Sequence, residues 1–208
     1  MNSELITVLL YNIPKRVTDL FISIFGLVFL FPLILIVAIL IKATSKGPIF
    51  FKGLRTGKLG RTFFIYKFRS MYVGSEILAG STSRNDSRIT AIGKFIRKYK
   101  IDEIPQLINV ILGEMSLVGP RPELPQYTER YSVFELKILT VKPGITDISS
   151  IKFSNLNDLI DDDNPDKYFE KNILNEKNRL RIQYVNSKSY FFDLKLIFLT
   201  IKKIIFGK

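Results

Sequence analysis

LFISIFGLVFLFPLILIVAILI, residues 20–41, is a long apolar run near the N-terminus of this chain. It holds 22 residues without a charged side chain, and Ser23 is its one clearly polar residue. A helix of that length can cross the hydrocarbon core of a bilayer. The run is too long for a cleavable signal peptide, and no small-residue cleavage site follows it. We therefore expect a membrane segment that persists in the mature protein.

Pro32 lies in the middle of this apolar run. Proline removes a backbone hydrogen bond and collides with the preceding turn, so it bends or breaks a helix. Both flanks are basic, with Lys15 and Arg16 before the run and Lys42 and Lys46 after it, and the positive-inside rule draws both toward the cytoplasm. A re-entrant helix that enters one leaflet and returns fits this pattern. A spanning helix with a tolerated proline kink is the alternative, and either one leaves the larger C-terminal part in the cytoplasm.

Length and composition limit the chemistry of the remaining chain. Its 208 residues suffice for one catalytic domain with its own core, so we expect a membrane segment over residues 1–46 and a cytoplasmic catalytic domain over 47–208. The chain has no histidine and no cysteine, so its chemistry must draw on carboxylates, hydroxyls, amines or the backbone. The net charge of +12 favours an anionic partner: nucleic acid, a phosphate-bearing substrate or an acidic membrane surface.

Residues 49–71 contain two aromatic, β-favouring runs around Gly57 and Gly60, which predict a hairpin with a loop of about four or five residues. Alternation along the second run puts Lys67 and Arg69 on one face. Two cations on one face could hold a phosphate, and a solvated basic face is the alternative.

Two segments follow the hairpin. Residues 74–86 are rich in Ser, Gly and Asn, which predicts a loop that could close over a substrate. Residues 88–100 are predicted to be helical.

Asp102 and Glu103 are adjacent carboxylates just before Pro105. Because proline is tolerated in the first turn of a helix, the pattern predicts a helix that starts at about the acidic pair and ends at Gly113. Unpaired amides and the positive end of the macrodipole gather at such a start, where they favour carboxylates and phosphate groups alike. From the residues alone the pair is either a helix cap or a reactive site, and Arg97 is close to it in sequence.

Two turns follow the predicted helix. Residues 118–122, VGPRP, hold Arg121 between Pro120 and Pro122, and the planar fork of arginine suits phosphate because it donates two parallel hydrogen bonds. Residues 142–146, KPGIT, are predicted as another tight turn.

Two segments near the C-terminus are an aspartate-rich stretch and an apolar, lysine-containing stretch. The aspartates of residues 155–167 lack the spacing of a calcium loop, so we interpret the segment as a solvated acidic loop. Residues 190–205 mix bulky apolar residues with lysines, which predicts an amphipathic helix. Such a helix either lies in the lipid headgroup plane or packs on the protein core, and the pattern fits both.

Several spaced blocks occur in a telling order. They are KR at 15–16, GPIFFKGLRTG at 47–57, KFRSM at 67–71, RNDSRITAIGKFIR at 84–97, DEIPQLINVILGEMSLVGPRP at 102–122 and KPGIT at 142–146. This series resembles the bacterial sugar transferase family of monotopic phosphoglycosyl transferases, over about residues 15–146 and more weakly in the final helix. The resemblance implies a membrane-associated α/β fold, mostly helical, with a re-entrant N-terminal helix bent at Pro32, a small β-hairpin and amphipathic surface helices.

The resemblance also implies a reaction. Members transfer a phosphosugar from a UDP-sugar to undecaprenyl phosphate and release UMP with Mg²⁺ present, as the initiating step of polysaccharide or glycoprotein glycan assembly. By that resemblance Asp102 attacks the β-phosphorus and carries a covalent phosphosugar, while Glu103 binds or positions Mg²⁺. The residues expected to bind substrate are Lys67, Arg97, Pro120, Arg121 and Pro122.

The expected partners follow from this reaction. They are a UDP-sugar, undecaprenyl phosphate and membrane lipids, without nucleic acid, and a homodimer is left open. We expect the bacterial inner membrane as the location, with the catalytic domain on its cytoplasmic face. Two alternatives stand beside this hypothesis: direct one-step transfer with Asp102 as a metal ligand only, and a non-enzymatic membrane-tethered binder of anionic lipid or nucleic acid.

The chain departs from the family pattern at three places. Phe31 stands where members often have Ser, and Lys52 where they often have Gln. After KPGIT many members continue Gly-Trp-Ala-Gln, whereas this chain has DISS at 147–150, so the donor sugar stays undetermined. Without the extra N-terminal membrane helices of larger relatives, the chain is expected to correspond to the minimal catalytic form.

Overall fold

The computed structural model describes residues 3–75, 86–156 and 164–206, with side chains from Tyr11 onward. The helices are α1 Ser3–Phe29, α2 Phe31–Thr44, α3 Ala91–Lys98, α4 Gln106–Leu112, α5 Pro125–Thr128, α6 Ile148–Lys152, α7 Pro165–Tyr168, α8 Asn175–Ser187 and α9 Tyr190–Phe206. The strands are β1 Phe50–Thr56, β2 Thr62–Phe68, β3 Ser116–Val118 and β4 Gly144–Thr146. The mostly helical fold with a small hairpin is thus confirmed. The predicted closing loop and acidic loop fall largely on residues 76–85 and 157–163, outside the described residues.

The apolar N-terminal stretch forms two helices, α1 and α2, that are bent by 61° at Leu30. Pro32 lies at the start of α2, where its missing amide removes the bond that would continue α1. Among the described residues no single helix is long and apolar enough to cross a membrane, whereas this bent pair is, by length and composition. The predicted bend at Pro32 is present.

Strands β1 and β2 pair antiparallel and are joined by residues 57–61, as the predicted hairpin requires. The structure separates Lys67 from Arg69, so neither alternative for the pair, a joint phosphate site or a solvated basic face, is found. Arg69 is buried and donates to the carbonyl and the hydroxyl of Ser45, both at 2.9 Å, and to the carbonyl of Lys46. It ties the chain after α2 to the end of the hairpin. Lys67 has a separate partner, described below.

The helix after the acidic pair starts later than predicted. Residues Ile101–Glu103 form a 3₁₀ turn, and α4 follows at Gln106. The turn begins after Lys100, whose left-handed backbone (φ 58°) reverses the chain at the end of α3. Helix α4 ends at Gly113, whose φ of 84° favours glycine and confirms the predicted end.

The KPGIT segment is more than a turn, because its last three residues form β4, which pairs parallel with β3. The backbones of Gly119 and Gly144 approach so closely that a Cβ on Gly144 would collide with the Gly119 backbone. Two glycines are therefore needed where the chain leaves β3 and enters β4. Sequence reading missed this pair since strands of three residues carry little periodic signal.

The core lies where α4, β3, α8 and α9 meet, around Val110, Val118, Tyr184 and Leu196. Helix α9 confirms the predicted amphipathic helix. Its Leu196 packs in the core while side chains such as Phe198 on the same helix are exposed. One face of α9 thus belongs to the core, and another presents apolar side chains outward.

Candidate active site

Glu103 is the centre of a partly buried ion-pair cluster. Lys67, near the end of β2, donates from Nζ to Oε1 of Glu103 at 2.8 Å. Arg121, in the turn after β3, donates from Nη1 to Oε2 at 3.1 Å and from Nη2 to Oε1. Three segments distant in sequence, the hairpin, the 3₁₀ turn and the Pro-Arg-Pro turn, therefore meet at one carboxylate.

The two cations determine the charge of Glu103. Burial opposes its ionisation, but the charges of Arg121 and then Lys67 outweigh burial and hold the pKa of Glu103 well below its usual range. Burial likewise lowers the pKa of Lys67, against the pull of Glu103. The two cations thus favour the ionised form of Glu103, and Glu103 in turn keeps both of them in place.

Asp102, its neighbour, has a different environment. It is 6% exposed, and its buried Oδ1 has no hydrogen-bond partner within the described part of the chain. Burial, and then the negative charge of Glu103, raise the pKa of Asp102, while Lys67 and Arg97 oppose the rise. A carboxylate that serves as a helix cap accepts backbone hydrogen bonds. Because Oδ1 accepts none, the structure gives it no capping role.

Arg97 lies in the last turn of α3 and faces the acidic pair. Burial lowers the pKa of Arg97, and the charge of Asp102 is the strongest influence that raises it. The structure therefore brings Lys67, Arg97 and Arg121 around Asp102 and Glu103, as a site for phosphates requires.

The Pro-Arg-Pro turn is fixed against β4. The amide of Arg121 donates to Oδ2 of the buried Asp147 at 3.4 Å, and its Nη1 donates to the carbonyl of Ile145 at 3.3 Å. Pro120 and Pro122 are buried, and the carbonyl of Pro120 accepts from the amide of Gly144 at 3.0 Å. The two prolines thus hold Arg121 in place. An open cleft, also lined by Thr56, flanks the turn.

A second ion-pair cluster lies behind this turn, and sequence reading missed it. Arg181 of α8 is fully buried and donates from Nη2 to Oε1 of Glu123 at 2.5 Å, with Nζ of Lys177 3.8 Å from the same oxygen. Burial raises the pKa of Glu123, but Arg181 and Lys177 together lower it to about 2. Burial lowers the pKa of Lys177 to about 8. Nothing in the sequence links α8 to the Pro-Arg-Pro turn, since the two are far apart along the chain.

The acidic residues of the site could hold Mg²⁺ only together with waters or substrate phosphates. The described residues contain no group of three or more acidic, histidine or cysteine side chains placed to share a metal ion. Mg²⁺ is often held by one or two carboxylates, with waters and substrate phosphates completing its ligands. The carboxylate of Asp102, for which no ion pair is found among the described residues, fits that role. Glu103 could join through Oε2, which accepts one hydrogen bond, from Nη1 of Arg121, and keeps a second lone pair.

The sequence of this chain matches the model of the bacterial sugar transferase family over residues 10–207. The chain belongs to this family. Undecaprenyl-phosphate glucose phosphotransferase of Komagataeibacter xylinus is 41% identical over 204 residues, which cover 94% of this chain and 36% of that protein. The UDP-glucose:undecaprenyl-phosphate glucose-1-phosphate transferase of Klebsiella pneumoniae is 37% identical over 194 residues, covering 91% and 39%.

A third family member has a length similar to this chain. Uncharacterized sugar transferase EpsL of Bacillus subtilis is 37% identical over 193 residues, covering 93% of this chain and 88% of that protein. The chain thus spans less than two fifths of the first two relatives and most of the third.

Proposed function

We propose that this bacterial sugar transferase moves a phosphosugar from a UDP-sugar to undecaprenyl phosphate and releases UMP, as the first step of glycan assembly. The relatives whose names state a reaction on undecaprenyl phosphate support the two substrates. One observation carries the proposal: the buried Asp102, whose Oδ1 has no hydrogen-bond partner among the described residues, lies beside three cations, Lys67, Arg97 and Arg121. Such a site suits a reaction between anions.

The first step forms a bond between one carboxylate oxygen of Asp102 and the β-phosphorus of the donor. The bond between that phosphorus and the oxygen bridging the two phosphates breaks, and UMP leaves with the bridging oxygen. In the second step a phosphate oxygen of undecaprenyl phosphate attacks the same phosphorus, and the bond to Asp102 breaks. The products are the lipid-linked diphosphosugar and the regenerated carboxylate. A covalent nucleophile thus divides one difficult transfer into two easier ones.

The cations of the site offset the charge that accumulates on the phosphates. Lys67 and Arg121 are held by Glu103 and need little reorganisation when the donor binds, which favours electrostatic stabilisation of the transition state. Asp102 and Glu103 would hold Mg²⁺ together with the donor phosphates, and the ion would supply further charge neutralisation. Arg97, Pro120 and Pro122 complete the proposed substrate contacts.

The same proposal places the chain at the cytoplasmic face of the bacterial inner membrane. Helices α1 and α2 expose Phe25, Phe29 and Ile36, and α9 exposes Phe198. Large exposed apolar patches of this kind mark surfaces that contact a membrane or another protein. The 61° bend supports a re-entrant path in which both ends of the pair stay in the cytoplasm. The lipid phosphate then reaches Asp102 from the membrane and the nucleotide sugar from the cytosol.

A UMP-release assay tests the reaction. Purified protein, undecaprenyl phosphate and Mg²⁺ are incubated with a panel comprising UDP-glucose, UDP-galactose and UDP-N-acetylgalactosamine. We expect UMP with at least one donor, and some UMP in the absence of the lipid, which a direct one-step transfer does not allow. A non-enzymatic binder would release no UMP with any donor and would bind anionic vesicles regardless of Asp102.

A further inference from the structure

Gln106, the first residue of α4, is fully buried, yet neither Nε2 nor Oε1 of its side chain has a hydrogen-bond partner in the part of the chain that the structure describes. A buried polar group without a partner destabilises the folded state, because it gives up its hydrogen bonds to water and gains none in return. Native structures tolerate few such groups, and those that persist call for an explanation, such as a role in catalysis.

Asn109, one turn further along α4, shows what a structural amide looks like at the same depth. It is also fully buried, but its Oδ1 accepts from the amide of Tyr66 at 3.0 Å. Its Nδ2 donates to the carbonyl of Phe64 at 2.8 Å and to Oε2 of Glu114 at 2.7 Å. Asn109 thus joins α4 to the hairpin, whereas Gln106 joins it to nothing described.

The backbone places Gln106 beside Asp102. The 3₁₀ turn Ile101–Glu103 continues through Ile104 (φ −52°, ψ −40°) and Pro105 (φ −61°, ψ −15°) into α4. The backbone bonds along this path join residues three apart, so it is wound like a 3₁₀-helix and Gln106 lies just over one turn beyond Asp102. Asp102 and Gln106 are both buried, and Oδ1 of Asp102 also has no hydrogen-bond partner in residues 3–75, 86–156 and 164–206.

We infer that Gln106 is a positioning residue for the Asp102 carboxylate, to which its side-chain amide donates a hydrogen bond during the reaction. The inference rests on the proposed function, because it assigns a role in the phosphosugar transfer. With Oδ1 engaged by Nε2, the other carboxylate oxygen of Asp102 faces the β-phosphorus. When the bond to phosphorus forms, Oδ1 becomes the carbonyl oxygen of the acyl phosphate and still accepts the same hydrogen bond. One rotation of a long, flexible side chain makes this contact.

Measurements of melting temperature and of kcat distinguish a positioning role of Gln106 from a structural one. Gln106→Met keeps the length of the side chain and removes both unpartnered polar atoms, so a stable fold should become no weaker. We expect kcat for UMP release to fall about 10- to 100-fold, the loss expected when a reacting group is poorly oriented, with the KM for the UDP-sugar within about twofold. The melting temperature should stay the same or rise.

Two further variants complete the experiment. Asn109→Leu should lower the melting temperature, since it removes three satisfied hydrogen bonds on the same helix. Gln106→Glu keeps the shape but not the amide donor, and it should also lose kcat. A Gln106→Met protein with wild-type kcat would overturn the inference and leave the proposed function standing. A fall in the melting temperature of Gln106→Met as large as that of Asn109→Leu would also overturn it. Wild-type protein that releases no UMP would instead overturn the proposed function on which the inference rests.

Discussion

Arg121 contacts both carboxylate oxygens of Glu103, in the forked geometry that arginine has and lysine lacks. We predict that Arg121→Lys lowers kcat/KM for UMP release about 10- to 100-fold, because a lysine acts as a point charge and cannot hold Glu103 and a phosphate with parallel bonds. Arg130→Lys is the matched control, since Arg130 pairs with Glu170 at the exposed surface. Wild-type kcat/KM in Arg121→Lys would show that the fork is not used.

The structure explains why some of these features were predictable and others were not. The bend at Pro32 and the hairpin rest on local rules: proline lacks an amide, and alternation marks strands. The meeting of Lys67, Glu103 and Arg121 was expected only because ordered motif blocks resemble a family. The contacts of Arg69 could not be predicted, since its partners Ser45 and Lys46 follow α2 and no pattern within the hairpin indicates them.

Three further features of the structure were not predicted from the sequence, because each depends on contacts between distant segments or on very short strands. The pairing of Glu123 with Arg181 joins residues 58 apart, and the β3–β4 pairing depends on strands of three residues. Gln106 has no sequence signal that separates it from the other residues of α4. Contacts of this kind depend on tertiary packing, which composition and periodicity do not report.

Acid should expose the contribution of Glu123 to stability. Its folded pKa of about 2 lies below the unfolded value of about 4.3, so the unfolded chain takes up the proton first as pH falls. The stability from ionised Glu123 is therefore present above the unfolded value and lost as pH falls toward about 2. We predict that Glu123→Gln melts below wild type at pH 7 and that the difference shrinks between about pH 5 and pH 3.

A surface carboxylate provides the control for this titration. Glu176 pairs with Lys152 and Arg179 at the exposed surface, where ion pairs contribute little to stability. The melting temperature of Glu176→Gln should therefore stay within about 1–2 °C of wild type at both pH 7 and pH 3. The account of Glu123 fails if the difference in melting temperature between Glu123→Gln and wild type is the same at pH 7 and at pH 3.

The bent helix pair predicts the topology of the chain. Single cysteines at Leu5 and Lys58 should both be shielded from a membrane-impermeant thiol reagent in intact cells and both react after permeabilisation. The chain has no cysteine of its own to interfere. Pro32→Ala restores the missing amide, so labelling at position 5 in intact cells should rise as the pair straightens. Labelling of position 5 alone in the unaltered helix would establish a spanning path instead.

The covalent step at Asp102 is the central claim, and trapping its product tests it most directly. A donor with radiolabel in its sugar, incubated with Mg²⁺ and no lipid acceptor, should leave label on the wild-type protein that undecaprenyl phosphate then removes. Asp102→Asn keeps the size of the side chain but lacks the nucleophilic carboxylate, and it should take up no label and release no UMP. Label on Asp102→Asn, or full transfer activity by that variant, would contradict the account.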